Sequence, residues 1–275
     1  AVYKEKQYEV GQFRHERDSR LIGDMMQNEA AEKIFAWAGK EGLEDIYRGM
    51  YEMSCVAVTE ENLPEIAGMA KQASRMFGLR QIPRIYLRRG YEQTIEIGGL
   101  ANPFLVVSSD FLELTAEEDP RLLSGMIAGR IAGIRAGHGK GMMLFWILET
   151  LLGYLPIPAF LVKGLEALVN EWNRCRYFTY DRAFLLAEGD YALAQRSLFI
   201  QILPGEILDR FALGSPKDRY TPQADRFWEG LGAEGAIRTL NSLRMDDPWI
   251  PERYRELKKF RETMGRDGYD GTVSA

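Results

Sequence analysis

Two histidines, His15 and His138, are the chain's whole supply of imidazole, and that bounds its acid–base and metal chemistry. Imidazole is the most frequent general base and a principal zinc ligand, so a zinc site here would have to rely on carboxylates and Cys175. Other catalytic patterns are equally sparse. A serine nucleophile needs a base, and no Gly-x-Ser-x-Gly elbow is present, so Ser108-Ser109 reads as a strand end. Glu117-Glu118 and Asp246-Asp247 read as solvated pairs or helix-start charges rather than acid–base dyads. Gly137-His138-Gly139-Lys140-Gly141 lacks the Ser/Thr and preceding strand of a phosphate loop, and a helix exit explains it better. There, an imidazolium at His138 would suit the negative end of the helix dipole. In Leu122–His138, Gly125, Gly129, Gly133 and Gly137 recur every four residues and form one helical stripe. Each interior glycine costs about 1 kcal/mol relative to alanine, so the stripe predicts close approach of another backbone. Arg130 and Arg135 beside it argue against dimerisation within a membrane.

The elements that must carry these residues follow from periodicity and punctuation. Residues 1–20 are polar and charged and read as an arm; apolar positions at helical spacing (Ile34, Trp37, Ala38) predict helix within 21–50. Pro64 sits in the first turn of a helix running to about Phe77, with Gly78 as its C-cap. Ile82–Arg88, Thr94–Ile97 and Phe104–Ser108 predict three strands, hence an α+β fold, mainly helical, with a small sheet. Thr115-Ala116-Glu117-Glu118 has the pattern of a capping box opening the glycine-striped helix. Gly141–Val169 is an apolar stretch divided by Glu149, Lys163, Pro156 and Pro158. A spanning helix needs roughly 18 uncharged apolar residues, so a buried helical hairpin is expected, with a shallow membrane-touching hairpin as the alternative. Ala167–Leu186 reads as another long helix, Tyr191–Leu208 as an amphipathic one ending near Pro204-Gly205, and Phe211–Ala224 as a loop. The remainder reads as helical to about Met264, with a frayed tail at 265–275. Trp146, Trp172, Trp228 and Trp249 read as core.

Several of these pieces, in their order, resemble the HtpX-like zinc metallopeptidase family, relatives of the CAAX prenyl proteases. Leu63-Pro64-Glu65, Gly78-Leu79 and Ile82–Tyr86 are similar to that family's first helix and strand, and Asn102–Ser109 with Phe111–Leu114 to its edge strand and the lead into the metal helix. Ala128–His138 aligns without gaps on G-H-E-x-G-H-I-x-x-G-H, Tyr180–Ala183 resembles the A-D-R motif, and Asp247-Pro248, Glu252-Arg253 and Leu257 resemble the terminal H-P…E-R…L element. The resemblance implies a gluzincin-type domain over 59–264, preceded by an arm at 1–58. Carried over by position, the zinc ligands fall on Gly129, Gly133 and Tyr177, the general base on Arg130, and the terminal histidine on Asp247. Glycine offers no side chain, and arginine cannot be deprotonated to act as a base, so the resemblance implies a degenerate site with zinc lost and no catalytic residue. Asp181 is retained. Two placements of Arg130 are open: its guanidinium pairs with Asp181 or a nearby carboxylate, partly replacing the metal's charge, or it reaches solvent while Asp181 caps or pairs with Arg182. The glycines, likewise, are either relics of lost ligands or packing residues.

The 275 residues allow one large domain or two small ones, and a net charge of -5 with pI near 5.4 argues against nucleic acid as a partner. Cys55 and Cys175 form no close-spaced pair and read as reduced thiols of a cytoplasmic protein. The charged opening stretch lacks an apolar core, so no signal peptide is expected in it. The expected function is non-catalytic: a peptide- or protein-binding scaffold whose edge at Phe104, Leu105, Val106, Val107 and Ser108 accepts an extended peptide, with a homo-oligomer through the 141–169 hairpin as another form of partner. The alternatives are a hydrolase using an unrecognised metal site or catalytic group, and a membrane-associated regulator.

Overall fold

The computed structural model describes residues 7–90, 95–155, 157–200, 202–203, 205–213, 218–229 and 249–266. Asp246, Asp247, Pro156, Pro204, Thr94 and the tail from 267 lie outside the described residues. Four helices open the chain: α1 (Val10–Phe13), α2 (Glu16–Met26), α3 (Glu29–Lys40) and α4 (Leu43–Ser54). Their starts follow from local chemistry. The His15 side chain accepts from the backbone N–H of Arg17 at 3.2 Å, and that of Asn28 from Ala30 at 2.9 Å, filling the N-cap roles of α2 and α3.

The sequence reads as an arm here, but the structure buries it. Phe13 and Met25 are fully buried, Leu21 nearly so, and Phe13 packs edge-on against Phe77. Burying each such side chain stabilises by roughly 2 kcal/mol, enough to fix the segment against the body of the protein. The first helices and the described elements after them therefore contribute to one hydrophobic core.

Among the described residues the sheet has four strands rather than three. β1 (Val56–Ala57), β2 (Arg84–Arg88), β3 (Ile95–Gly98) and β4 (Phe104–Ser108) lie in the order β1-β2-β4-β3, with α5 (Pro64–Met76) between β1 and β2 in sequence. β4 runs parallel to β2, with Arg84 opposite Phe104 and Arg88 opposite Ser108, and antiparallel to β3, with Ile95 opposite Val107. Phe104–Ser108 is thus a central strand, paired on both sides and buried along its whole length. It cannot be the peptide-accepting edge; β3 and β1 are the outer strands.

Ser108 caps α6 (Ser109–Glu118), its hydroxyl accepting from Phe111 N–H at 3.3 Å. The expected capping box at Thr115 does not form. Thr115 lies inside α6 and donates back to the carbonyl of Phe111 at 2.9 Å. Asp119 instead caps α7 (Pro120–Arg135), accepting from Arg121 N–H at 2.9 Å, with Pro120 at the first helical position. Gly137, at φ 87°, turns the chain into α8 (His138–Leu151), and a 3-10 turn (Leu152–Tyr154) leads to α9 (Ala159–Glu188). The 141–169 stretch is therefore a helical hairpin, exposing Leu152, Tyr154 and Phe160 at its tip. No helix among the described residues is long and apolar enough to cross a membrane. α10 (Tyr191–Ser197), α11 (Gly205–Leu208), α12 (Thr221–Glu229) and α13 (Ile250–Arg266) complete the molecule.

α7 and α9 form the axis of the fold. α7 is buried from Gly125 to Gly133 without interruption and packs on α9 and α5, while α9 also receives α2, α8 and α13.

Candidate functional site

The glycine stripe allows the α7–α9 contact. A Cβ at Gly125 would meet the Phe184 ring at 2.5 Å, one at Gly129 the Tyr180 carbonyl oxygen at 2.9 Å, and one at Gly133 the Tyr180 ring at 2.4 Å. Gly125, Gly129 and Gly133 are therefore in close contact with α9. Because 125, 129 and 133 share one helical face, α9 lies against that face with Tyr180 and Phe184, one turn apart, in its path. Gly137 belongs to the turn instead, where a Cβ would meet nothing.

The sequence-derived site positions on the two helices do converge. Arg130 is 4% exposed, and its guanidinium lies 4.2 Å from the Tyr180 ring centre and 5.3 Å from that of Tyr177. Contacts of this kind are worth about 0.5–2 kcal/mol each, most when water is excluded. Its Nε donates to the Ile95 carbonyl of β3 at 2.8 Å, tying the outer strand to α7. Arg130 neither reaches solvent nor pairs with Asp181. The Asp181 carboxylate belongs to Arg253 of α13, which donates Nε to Oδ2 at 2.9 Å and Nη2 to Oδ1 at 2.7 Å. Arg182 turns the other way, to Glu16 and the Arg14 carbonyl. Asp181 and Arg253 are both about 6% exposed, so removing either partner would strand a buried charge at a cost of about 3–5 kcal/mol.

A third guanidinium completes the group. Arg176 on α9 is 8% exposed, donates Nε to the Asn173 carbonyl at 3.1 Å and lies 4.9 Å from the Tyr177 ring centre. The Arg253 guanidinium is also 4.9 Å from that ring. Tyr177 is half-buried, the least buried member of this cluster. Burial lowers the pKa of Arg130; Tyr177 and Tyr180 oppose the shift, while the fields of Arg176 and Arg253 reinforce it.

On the opposite side of Tyr180 lies a buried polar chain. His138 is fully buried at the start of α8, not at a solvent-facing helix end. One ring nitrogen, Nδ1, is 3.1 Å from the Tyr180 hydroxyl, and the other, Nε2, is 2.9 Å from Asp18 Oδ2. Asp18, fully buried on α2, also accepts from the Trp172 indole at 2.8 Å and the Thr179 hydroxyl at 2.7 Å. Burial opposes the charge on Asp18, but His138, Thr179 and Arg14 outweigh it and hold the carboxyl at about 2. This Asp–His–Tyr arrangement has the connectivity of a general-base relay. Asp18 and His138 are 0% exposed and Tyr180 2%, so its geometry acts as a structural clasp joining α2, α8 and α9.

Among the described residues no three His, Cys, Asp or Glu side chains are grouped to hold a metal ion. The donor set at the carried-over positions does not fit zinc: two glycines packed against Tyr180, and guanidinium groups where anionic or neutral donors would be needed. Cys175 is buried and free, as is the half-buried Cys55 in pairing. A separate cavity of about 450 Å³ is lined by Met26, Phe35, Leu100, Lys140, Met143 and Glu44. The Glu44 carboxylate there already accepts from the backbone N–H groups of Leu100, Ala101 and Asn102, at 2.7, 2.6 and 3.1 Å.

Arg130, Tyr177 and Asp181 were visible in the sequence; Arg176, Tyr180 and the Asp18–His138 clasp were not assigned to a site. Arg253 appears in the sequence only as part of a terminal motif, with no local signal of its 72-residue reach to Asp181. Asp247 lies outside the described residues. Compared with protein-family models, with curated proteins and with solved structures, the chain finds no match in any of the three.

Proposed function

We propose that the protein is a non-catalytic binding protein on a gluzincin-like scaffold related to the HtpX-like peptidases, with the centre filled by side chains. One observation carries this reading. The positions that the resemblance assigns to metal chemistry, Gly129, Arg130 and Gly133 on α7 and Tyr177 on α9, meet at one α7–α9 contact, and none of them supplies a metal donor set. Tyr180 takes up the space that side chains at 129 and 133 would need, its backbone at 129 and its ring at 133.

The ligand in this reading is a protein or peptide. β3 is the outer strand nearest the site, and Arg130 already holds its Ile95 carbonyl. An extended segment adding to β3 would thus arrive beside the arginine cluster. Elemental analysis of purified protein, together with casein hydrolysis with and without a chelator, tests the reading. The expected result is no stoichiometric zinc and no chelator-sensitive cleavage. One tightly held zinc per chain with chelator-sensitive cleavage would overturn it.

A further inference from the structure

We propose that Arg130, Arg176 and Arg253, gathered around the half-buried Tyr177, form a binding site for a compact oxyanion, a carboxylate or phosphate group carried by the ligand. The inference rests on the binding reading above and names the chemistry of what is bound.

The first argument is charge. Three guanidiniums lie 4.9–5.3 Å from one tyrosine ring, and hydrogen bonds bring one carboxylate, Asp181, into the group. Asp181 neutralises Arg253. Arg176 donates to the neutral Asn173 carbonyl and the Met142 sulfur, and Glu96, the acid whose field reaches it, lies 3.8 Å from Arg88. Two buried positive charges are therefore left without an ion-pair partner among the described residues. A buried charge is tolerated when it is paired, and an arriving anion would supply the pairing.

The second argument is geometric and independent. The Arg130 side chain is more than nine-tenths buried, yet only Nε is committed, to Ile95. Its two terminal nitrogens have no acceptor among the described residues. Those nitrogens form the fork that binds carboxylate and phosphate oxygens in bidentate fashion. The Tyr180 and Tyr177 rings flank the guanidinium at 4.2 and 5.3 Å and the Ile95 bond fixes its Nε, so the fork is ordered before any ligand arrives, which lowers the entropic cost of binding. Tyr177, half-buried, is the member of the group nearest to solvent by its exposure.

The test is a thermal-denaturation and calorimetric titration of the full chain. Its arms are inorganic phosphate, acetate, a short peptide with a free C-terminal carboxylate, and the same peptide amidated, each against chloride at matched ionic strength. At saturation the melting temperature should rise by about 3 °C or more over chloride in the phosphate or free-carboxylate arm. A phosphate-only response identifies a phosphate-type group, and a response to the free peptide but not its amide identifies a carboxylate. Arg130→Met should lose the response and, by removing an unpaired buried charge, melt no lower than wild type in chloride. Arg176→Gln, checked by circular dichroism for folding, should also lose it. No response in any arm, or an undiminished response in a folded Arg130→Met or Arg176→Gln protein, overturns the proposal. Zinc content and proteolysis decide the binding reading separately, so the two failures are distinguishable.

Discussion

Placing alanine at Gly129 sets two effects of known sign against each other. Alanine gains about 1 kcal/mol over glycine in a helix interior. Against this, the new methyl would stand 2.9 Å from the Tyr180 carbonyl oxygen and 3.3 Å from its Cα. Both obstacles are backbone atoms within the 30-residue helix α9, so relief requires the helix itself to shift. Overpacking of that kind costs about 1–3 kcal/mol, and with the clash at backbone the upper part of the range applies. Gly129→Ala should therefore lower stability by about 1–2 kcal/mol. Gly68, in the middle of α5, is exposed, with nothing within 4 Å of its would-be Cβ. There the same substitution should raise stability by about 0.5–1 kcal/mol. Urea denaturation followed by circular dichroism reads the contrast: at roughly 3 kcal/mol per M for a chain of this size, the midpoints should move about 0.5 M down and 0.2–0.3 M up. If Gly129→Ala stabilised the protein as Gly68→Ala does, α7 and α9 would not be in backbone contact. The geometry of the candidate site would fall with that contact.

Asp18 carries the acid sensitivity of the clasp. Its folded carboxyl sits at about 2 against an ordinary 3.8, so as pH falls the unfolded chain takes up the proton first. About 2 kcal/mol of stability, present above pH 4, is then lost between about pH 4 and pH 2. Asp18→Asn should be less stable at neutral pH and show a shallower acid limb, and an unchanged limb in acid titration of denaturation midpoints would refute the assignment. Burial, opposed in part by Arg17, pushes the Cys175 thiol up to about 12, while Cys55 is half-buried. An aromatic disulfide reagent at pH 8 should therefore modify one thiol quickly in the folded protein and two in urea; two fast thiols in the folded state would contradict the packing of α9.

Much of the fold was legible where backbone chemistry is local. Pro64 and Gly78 bracket α5, and the strands fall where turn residues isolate β-branched runs. The edge assignment failed for a readable reason. Phe-Leu-Val-Val-Ser is an unbroken apolar run, the pattern of a strand buried on both faces, whereas Ile-Glu-Ile alternates, as an outer strand does. The cap of α7 was misplaced because Thr115 and Asp119 both offer N-cap chemistry four residues apart; Pro120, which favours the first helical position, decides for Asp119. Asp18 could not be found this way. In Glu16–Arg20 it looks like one more solvated charge, and only a contact 120 residues away, with His138, makes it the most buried carboxylate described. The Arg253–Asp181 pair is invisible for the same reason: charge pairing across 72 residues leaves no periodicity.

The packing at Tyr180 links the two halves of the site. Its backbone rests on Gly129, its ring on Gly133, its hydroxyl on His138 and its face on Arg130. A histidine at 133 would have to displace the ring, and in doing so would break the contact to His138 and leave the clasp to Asp18 short of a partner. A histidine at 129 would have to push back the α9 backbone itself. On the peptidase resemblance, then, zinc ligands cannot be restored at these positions one at a time: each intermediate loses core packing before any metal could bind. The cationic cluster points the same way. Zinc brings two positive charges into its site, and here the three guanidiniums less one carboxylate already bring a net two. A cation entering this place would meet repulsion where an anion meets a pre-formed fork.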